Sequence, residues 1–251
     1  MEDFIKVTRK NHILLLQICR PEKKNAMTPG MYSALSDGLR AGDADDEIKV
    51  IILHGMADFF TSGNDLKGFK NGPSADGNYP HNHFLDRLSE TKKPVIAAVS
   101  GFTLGIGTIT LFHCDLVYAA PGSSFSLPFV TLGLSPEGAT SYILPHLIGY
   151  QRAAEMIMFG EKFPVETAKE IGLVNEIVPV EDLLAKAIEK AEKLASLPQG
   201  AILKAKAMLK KSMRDGVKDA RNYELEIFNE RLNSDEFKDA ISRFFNKKPK
   251  A

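Results

Sequence analysis

Glu137 is a carboxylate in the turn Ser135-Pro136-Glu137-Gly138, which follows a segment built otherwise of apolar and small side chains. A carboxylate that a substrate reaches in such surroundings is a catalytic base, and desolvation makes it a stronger one. Upstream, Lys93-Pro94-Val95-Ile96-Ala97-Ala98-Val99 reads as a buried strand, and Gly101, Gly105 and Gly107 follow where the chain turns into a helix. Glycines at that junction let backbone N–H groups approach a ligand closely. The loop Phe59-Phe60-Thr61-Ser62-Gly63-Asn64-Asp65-Leu66 has the same form, an apolar strand emptying into small and polar residues. Two such loops and one carboxylate point to an enzyme. A bland reading competes. Ser135 as N-cap and Pro136 at the first helical position put Glu137 in a first helical turn, where the dipole stabilises the anion and weakens it as a base. On the residues alone, that electrostatic role is the stronger of the two.

The elements that must position these residues alternate between strand and helix. Residues 4–8 and 13–18 read as a hairpin, and Thr28-Pro29 opens a helix to about Leu39. The acidic stretch from Asp43 to Glu47 reads as a loop, and Val50-Ile51-Ile52-Leu53 as a strand buried on both faces. Residues 68–83, with Gly72, Pro73, Gly77 and Pro80, lack periodicity and are expected to be a mobile loop beside the site. Beyond Gly105 come a helix to Phe112, strands at 116–119 and 124–126, and helices at 141–147 and 152–159 broken at Gly149. Helices then dominate, at 165–171, 181–197, 200–213, 219–232 and 236–245. The expectation is an α/β core over residues 1–195, mostly parallel, followed by a helical region over 196–251. Phe228, Leu232, Phe237, Ile241, Phe244 and Phe245 must pack on that core or on another subunit.

Composition narrows the function classes. With 32 basic and 32 acidic residues in 251, no net field favours nucleic acid or an anionic membrane. Apolar runs fall short of the roughly 20 residues that span a bilayer. Cys19 and Cys114 match no ligand spacing and are expected to be packed thiols in a reducing compartment. The start lacks an apolar signal core and Pro249-Lys250-Ala251 is no peroxisomal address, so the cytoplasm is the expected location. His54, His81, His83, His113 and His146 form no metal-ligand spacing and are read as surface residues, with His81 and His83 at most lining an entrance.

The segments Arg20-Pro21-Glu22-Lys23-Lys24-Asn25-Ala26-Met27, Phe60 to Leu66, Lys93 to Gly101 with Leu104-Gly105-Ile106-Gly107, and Cys114-Asp115-Leu116-Val117-Tyr118, followed by Gly160, Ala168 and Gly172-Leu173-Val174, resemble the successive signatures of the crotonase family of enoyl-CoA hydratases and isomerases. The resemblance implies a ClpP/crotonase-like fold of repeated ββα units, a C-terminal helical trimerisation region forming a homotrimer or a dimer of trimers, and acyl-CoA thioesters as substrates in fatty-acid β-oxidation. It implies no metal and no cofactor, coenzyme A being part of the substrate. The N–H groups of Asn64 and Ile106 would hold the thioester oxygen as negative charge grows on it. Two glutamates that hydratases use fall, by alignment, on Ile109 and Phe129, whereas Ser135-Pro136-Glu137-Gly138 resembles the turn of peroxisomal-type delta3-delta2-enoyl-CoA isomerases. That turns the balance at Glu137 towards catalysis.

Lys23 and Lys24 would meet the CoA phosphates, and the backbone around Ala26, Ser62, Gly63 and Leu66 would bracket adenine and pantetheine. Gly105 and Gly107 flank the second donor, while Phe129, Leu132, Ile109 and Pro136 would wall an apolar pocket. Asp65 is expected to bond its own backbone, and Asp115 to tie its strand to a neighbouring N–H. The rivals are a hydratase using Glu137 alone or a thioester hydrolase on the same fold, a dinucleotide-binding oxidoreductase, and a non-catalytic acyl-CoA or RNA binder. For the oxidoreductase, Gly105-Ile106-Gly107 lacks a third glycine at Thr110.

Overall fold

In the computed structural model, residues 4–65 and 78–246 are described, with side chains through Arg243. The hairpin forms as expected, β1 (Ile5–Lys10) antiparallel to β2 (Ile13–Ile18). Helix α1 (Pro29–Ala44) starts at Thr28, whose Oγ1 accepts the Met31 N–H at 3.3 Å, and buries Met31, Tyr32, Leu35 and Leu39 on one face. It runs past Leu39 because tertiary contacts favour its last turn. Gly42 lies against Ile51, and the Asp43 carboxylate accepts the Lys92 and Lys93 N–H groups and pairs with Arg87 at 2.7 Å.

The middle of the chain repeats one unit. Strands β3 (Val50–His54) and β4 (Phe59–Thr61) precede α2 (Pro80–Glu90); β5 (Val95–Val99) and β6 (Phe102–Leu104) precede α3 (Ile106–His113); β7 (Leu116–Ala119) and β8 (Ser124–Ser126) precede α4 (Thr140–Ile148). The first strand of each pair joins a six-stranded sheet and the second joins a four-stranded one. After α5 (Tyr150–Phe159) come β9 (Phe163–Pro164), α6 (Val165–Glu170) and β10 (Glu176–Ile177). The sheet orders are β1-β2-β3-β5-β7-β10, parallel except at the β1 edge, and β4-β6-β8-β9. Helices α7 (Leu183–Ser196), α8 (Gln199–Leu232) and α9 (Asp235–Asn246) complete the chain.

The unbroken apolar strands are explained by burial on both faces. Leu14, Leu16, Ile51, Leu53 and Ala97 face the main core, while Ile13, Leu15, Val50, Ile52 and Ile96 pack under α7 with Leu183, Ala187 and Ala191. Two expectations are corrected here. The helices expected at 200–213 and 219–232 are one, because Gly216, tolerable inside a helix, lets α8 pass close to the Tyr142 ring. Pro80 begins a helix rather than closing a loop; of the expected loop, residues 68–77 lie outside the described residues. Phe228 packs in the chain's own core, and Asp115 accepts the Val95 N–H at 2.7 Å while pairing with Lys206 of α8 at 2.6 Å. No described helix is long and apolar enough to cross a membrane.

Gly101, at the β5–β6 junction, has φ +65°, and a Cβ there would lie 1.7 Å from the Asp58 carbonyl oxygen. Gly101→Ala is expected to lose roughly 2–4 kcal/mol in urea unfolding, the combined cost of a left-handed alanine and backbone overpacking; an unchanged midpoint would contradict this packing.

Candidate active site

Glu137 is buried at 4% exposure, but it is not in a helix. The expected Ser135-Pro136 helix start is corrected: α4 begins at Thr140, with Ala139 at φ +62° before it. The anion at that helix start is instead Glu224, from the C-terminal third of α8, whose oxygens accept the Ala139 N–H at 2.6 Å and the Ser141 N–H at 2.8 Å. Sequence reasoning assigned the dipole to the nearest carboxylate, and tertiary packing supplies one from 87 positions further on.

Every side of the Glu137 turn is held. Its carbonyl accepts the Thr140 hydroxyl at 2.6 Å, and the Gly138 carbonyl receives His113 Nε2 at 2.9 Å. Gly138 rests on Ile109 and Leu85, where a Cβ would come within 2.5 Å of Ile109. The carboxylate itself meets His81, with Nε2 2.8 Å from Oε2 and both side chains about 5% exposed or less. Histidines 81 and 113 are therefore buried, against the surface reading given them above. A signal for His81 was present: Pro80 suits a first helical position, and His81, Phe84, Leu85 and Leu88 share one helical face. The Tyr79, Tyr32 and Phe228 rings surround His81 at centroid distances of 5.5, 5.9 and 6.2 Å.

Tyr32 links this turn to the other loop. Its hydroxyl donates to Asn64 Oδ1 in a short hydrogen bond. Burial, and then the Glu137 charge, push its phenol well above the ordinary value, so it stays a donor. The sequence reading missed Tyr32 and Glu224; each stands on a buried helical face, and the contacts that recruit them are long-range.

The segments at 20–27 and 61–65 are sewn together. Asn25, fully buried, donates to the Ile18 and Phe60 carbonyls and accepts the Arg20 N–H. The Ser62 N–H reaches the Lys24 carbonyl, the Met27 N–H the Gly63 carbonyl, and the Asp65 N–H the Met27 carbonyl. Lys23, Lys24, Ala26, Ser62, Gly63 and Asp65 thus form one neighbourhood, with both lysines exposed. Asp65 pairs with Arg20 at 2.8 Å, a tie across the two loops. Leu66 lies outside the described residues.

The same loop lies against the start of α3. A Cβ on Gly63 would sit 3.0 Å from the Leu104 carbonyl, and one on Gly107 would strike Thr61 at 2.4 Å. Gly105, at φ +53° and ψ −114°, turns the chain so that Ile106 opens the helix. Neither the Asn64 nor the Ile106 N–H donates to a described acceptor. Phe129, buried, and Leu132, half-buried, bracket a 3-10 turn ahead of Ser135 and Pro136.

Residues 8–251 match the family described as enoyl-CoA hydratase/isomerase. The chain belongs to this family. The structure of Pseudomonas aeruginosa OdaA superposes with a TM-score of 0.94 at 36% identity, covering 98% of this chain and 100% of that one. Enoyl-CoA delta isomerase 2 of Homo sapiens is 32% identical over 97% of this chain; the chain spans 64% of that relative's length. The mitochondrial enoyl-CoA hydratase of Pongo abelii is 30% identical over 96% of this chain and 83% of its own. The expected α/β crotonase fold of ββα units is the fold observed.

Two outcomes follow from the pinned turn. Glu224→Ala strands the buried Ala139 N–H and the part-buried Ser141 N–H and is expected to destabilise the protein by roughly 1–3 kcal/mol in urea titration. Burial lowers His113 from 6.5 to about 4. Unfolded chain takes up a proton below pH 6.5 that the fold refuses, so stability falls from there towards pH 4, by about 3 kcal/mol in all. His113→Gln should show a shallower loss of unfolding free energy over that window, and an equally steep one would refute the assignment.

Proposed function

We propose that the protein is a delta3-delta2-enoyl-CoA isomerase. The observation that carries this reading is that, among the described residues, Glu137 is the carboxylate at the site and no second one is available to hold a water. Ile109 lies directly under its turn, Phe129 is apolar, and both oxygens of nearby Glu224 are committed to the start of α4.

Glu137 removes a proton from C2 of a 3-enoyl thioester. Negative charge moves to the thioester oxygen, where the N–H groups of Asn64 and Ile106 receive it; each such donor contributes about 2.7–4 kcal/mol to the transition state. Glu137 then returns the proton at C4, and the double bond comes to rest between C2 and C3. Nothing is oxidised, and the proton shuttle calls for neither metal nor redox cofactor. Lys23 and Lys24 would meet the CoA phosphates, with Ala26, Ser62, Gly63, Asp65 and Leu66 along the CoA path; Gly105, Gly107, Phe129, Leu132 and Pro136 would shape the thioester and acyl end.

To the same reading belong a cytoplasmic location, a division into an acyl-CoA-binding core to residue 195 and a helical region beyond it, and a homotrimer or a dimer of trimers. Exposed Leu147, Tyr150, Met158 and Phe159 on α4 and α5, and Met208 and Leu209 on α8, support assembly through these helices. One observation favours a second reading: His81 gives Glu137 a titratable partner that could help hold a water, as hydration or thioester hydrolysis would need.

With trans-3-hexenoyl-CoA and trans-2-hexenoyl-CoA supplied separately, the expected outcome is isomerisation of the first at unchanged mass. Glu137→Gln is expected to lower its kcat by about 1,000-fold or more. Water addition to the 2-enoyl ester as the main reaction would replace the isomerase with the hydratase.

A further inference from the structure

His81 is the group in contact with the Glu137 carboxylate that neither the family signatures nor the reaction above employs. At 2.8 Å, a proton must lie between Nε2 and Oε2. An ionised carboxylate has no proton to offer, so in the form able to act as a base it is Nε2 that carries the hydrogen and donates. The imidazole is held against swinging away by the rings of Tyr79, Tyr32 and Phe228, and it sits on a helix rather than a loop.

Resting on the isomerase reading, we propose that His81 is a positioning residue that fixes the face of Glu137 and confines the shuttled proton to Oε1. With Oε2 already accepting the His81 N–H, the proton taken from C2 goes to Oε1, the oxygen that receives no such donor. The carboxyl cannot rotate without breaking a buried hydrogen bond. A proton held there is delivered to C4 of the same substrate molecule before it exchanges with solvent. In this arrangement His81 transfers no proton, and the one bond made and broken on the enzyme is Oε1–H.

The test is isomerisation of trans-3-hexenoyl-CoA in deuterated water, with deuterium at C4 of the product read by mass spectrometry and NMR. The unmodified enzyme is expected to return mostly protium to C4. His81→Phe, which fills the site without a donor, is expected to lower kcat roughly 10- to 100-fold with KM little changed, because the base is misplaced while binding contacts stay. Its product should carry more deuterium at C4. His81→Gln, which restores an N–H at similar reach, should recover part of both. A purely structural role would alter stability without moving the deuterium partition. Solvent-level deuterium at C4 with the unmodified enzyme overturns the proposal whether or not the variants fold. Parental kcat and partition in His81→Phe overturn it while leaving Glu137 as the base. An unmodified enzyme inactive on the 3-enoyl ester overturns the isomerase and this inference together.

Discussion

A carboxylate kept away from water must have its hydrogen bonds supplied by the protein, and the surroundings of Glu137 are organised by that demand. Its side chain meets His81 from α2, its own carbonyl is met by Thr140, and the next carbonyl by His113 at the end of α3. The Ala139 and Ser141 N–H groups are taken by Glu224 from α8. Four helices thus converge on one short turn. Three of them, α2, α3 and α8, reach Glu137 from distant parts of the sequence, so the C-terminal helical region is as much a part of the site as the glycine loops.

That arrangement divides labour between the carboxylates. Glu224 is raised above its ordinary value, first by burial and further by the Glu137 charge, against the pull of the N–H groups it accepts. A carboxylate fully engaged by two backbone donors is a structural anion. Glu137 has one oxygen facing His81 and no described donor on the other. The distinction arises from how many donors each receives and not from residue type.

Much of the scaffold was legible. Val50 to Leu53 and Val95 to Val99 announce strands covered on both sides, and Thr28-Pro29 announces a helix, because local steric and hydrogen-bonding preferences act over a few residues. Gly63 and Gly107 marked where two loops approach each other, since close approach excludes a Cβ, and Gly105 marked a positive φ. The Ser135-Pro136 helix start misled, because the local signal had no way to register that α8 would cap α4 one turn later. His81 was passed over because the periodicity that buries it begins only after a stretch rich in glycine and proline.

The sequence by itself determined the alternation of elements, the two-sided burial of the sheet, the glycine junctions and the presence of one carboxylate in an apolar setting, all consequences of short-range chemistry and hydrophobic period. Only the tertiary structure decided what Glu137 touches. The partners lie 56 positions before it and, through Ala139, 85 residues apart. Which of several acidic and histidine side chains becomes a base, a cap or a positioning group depends on packing between distant segments, and desolvation acts on that packing rather than on neighbours in the chain.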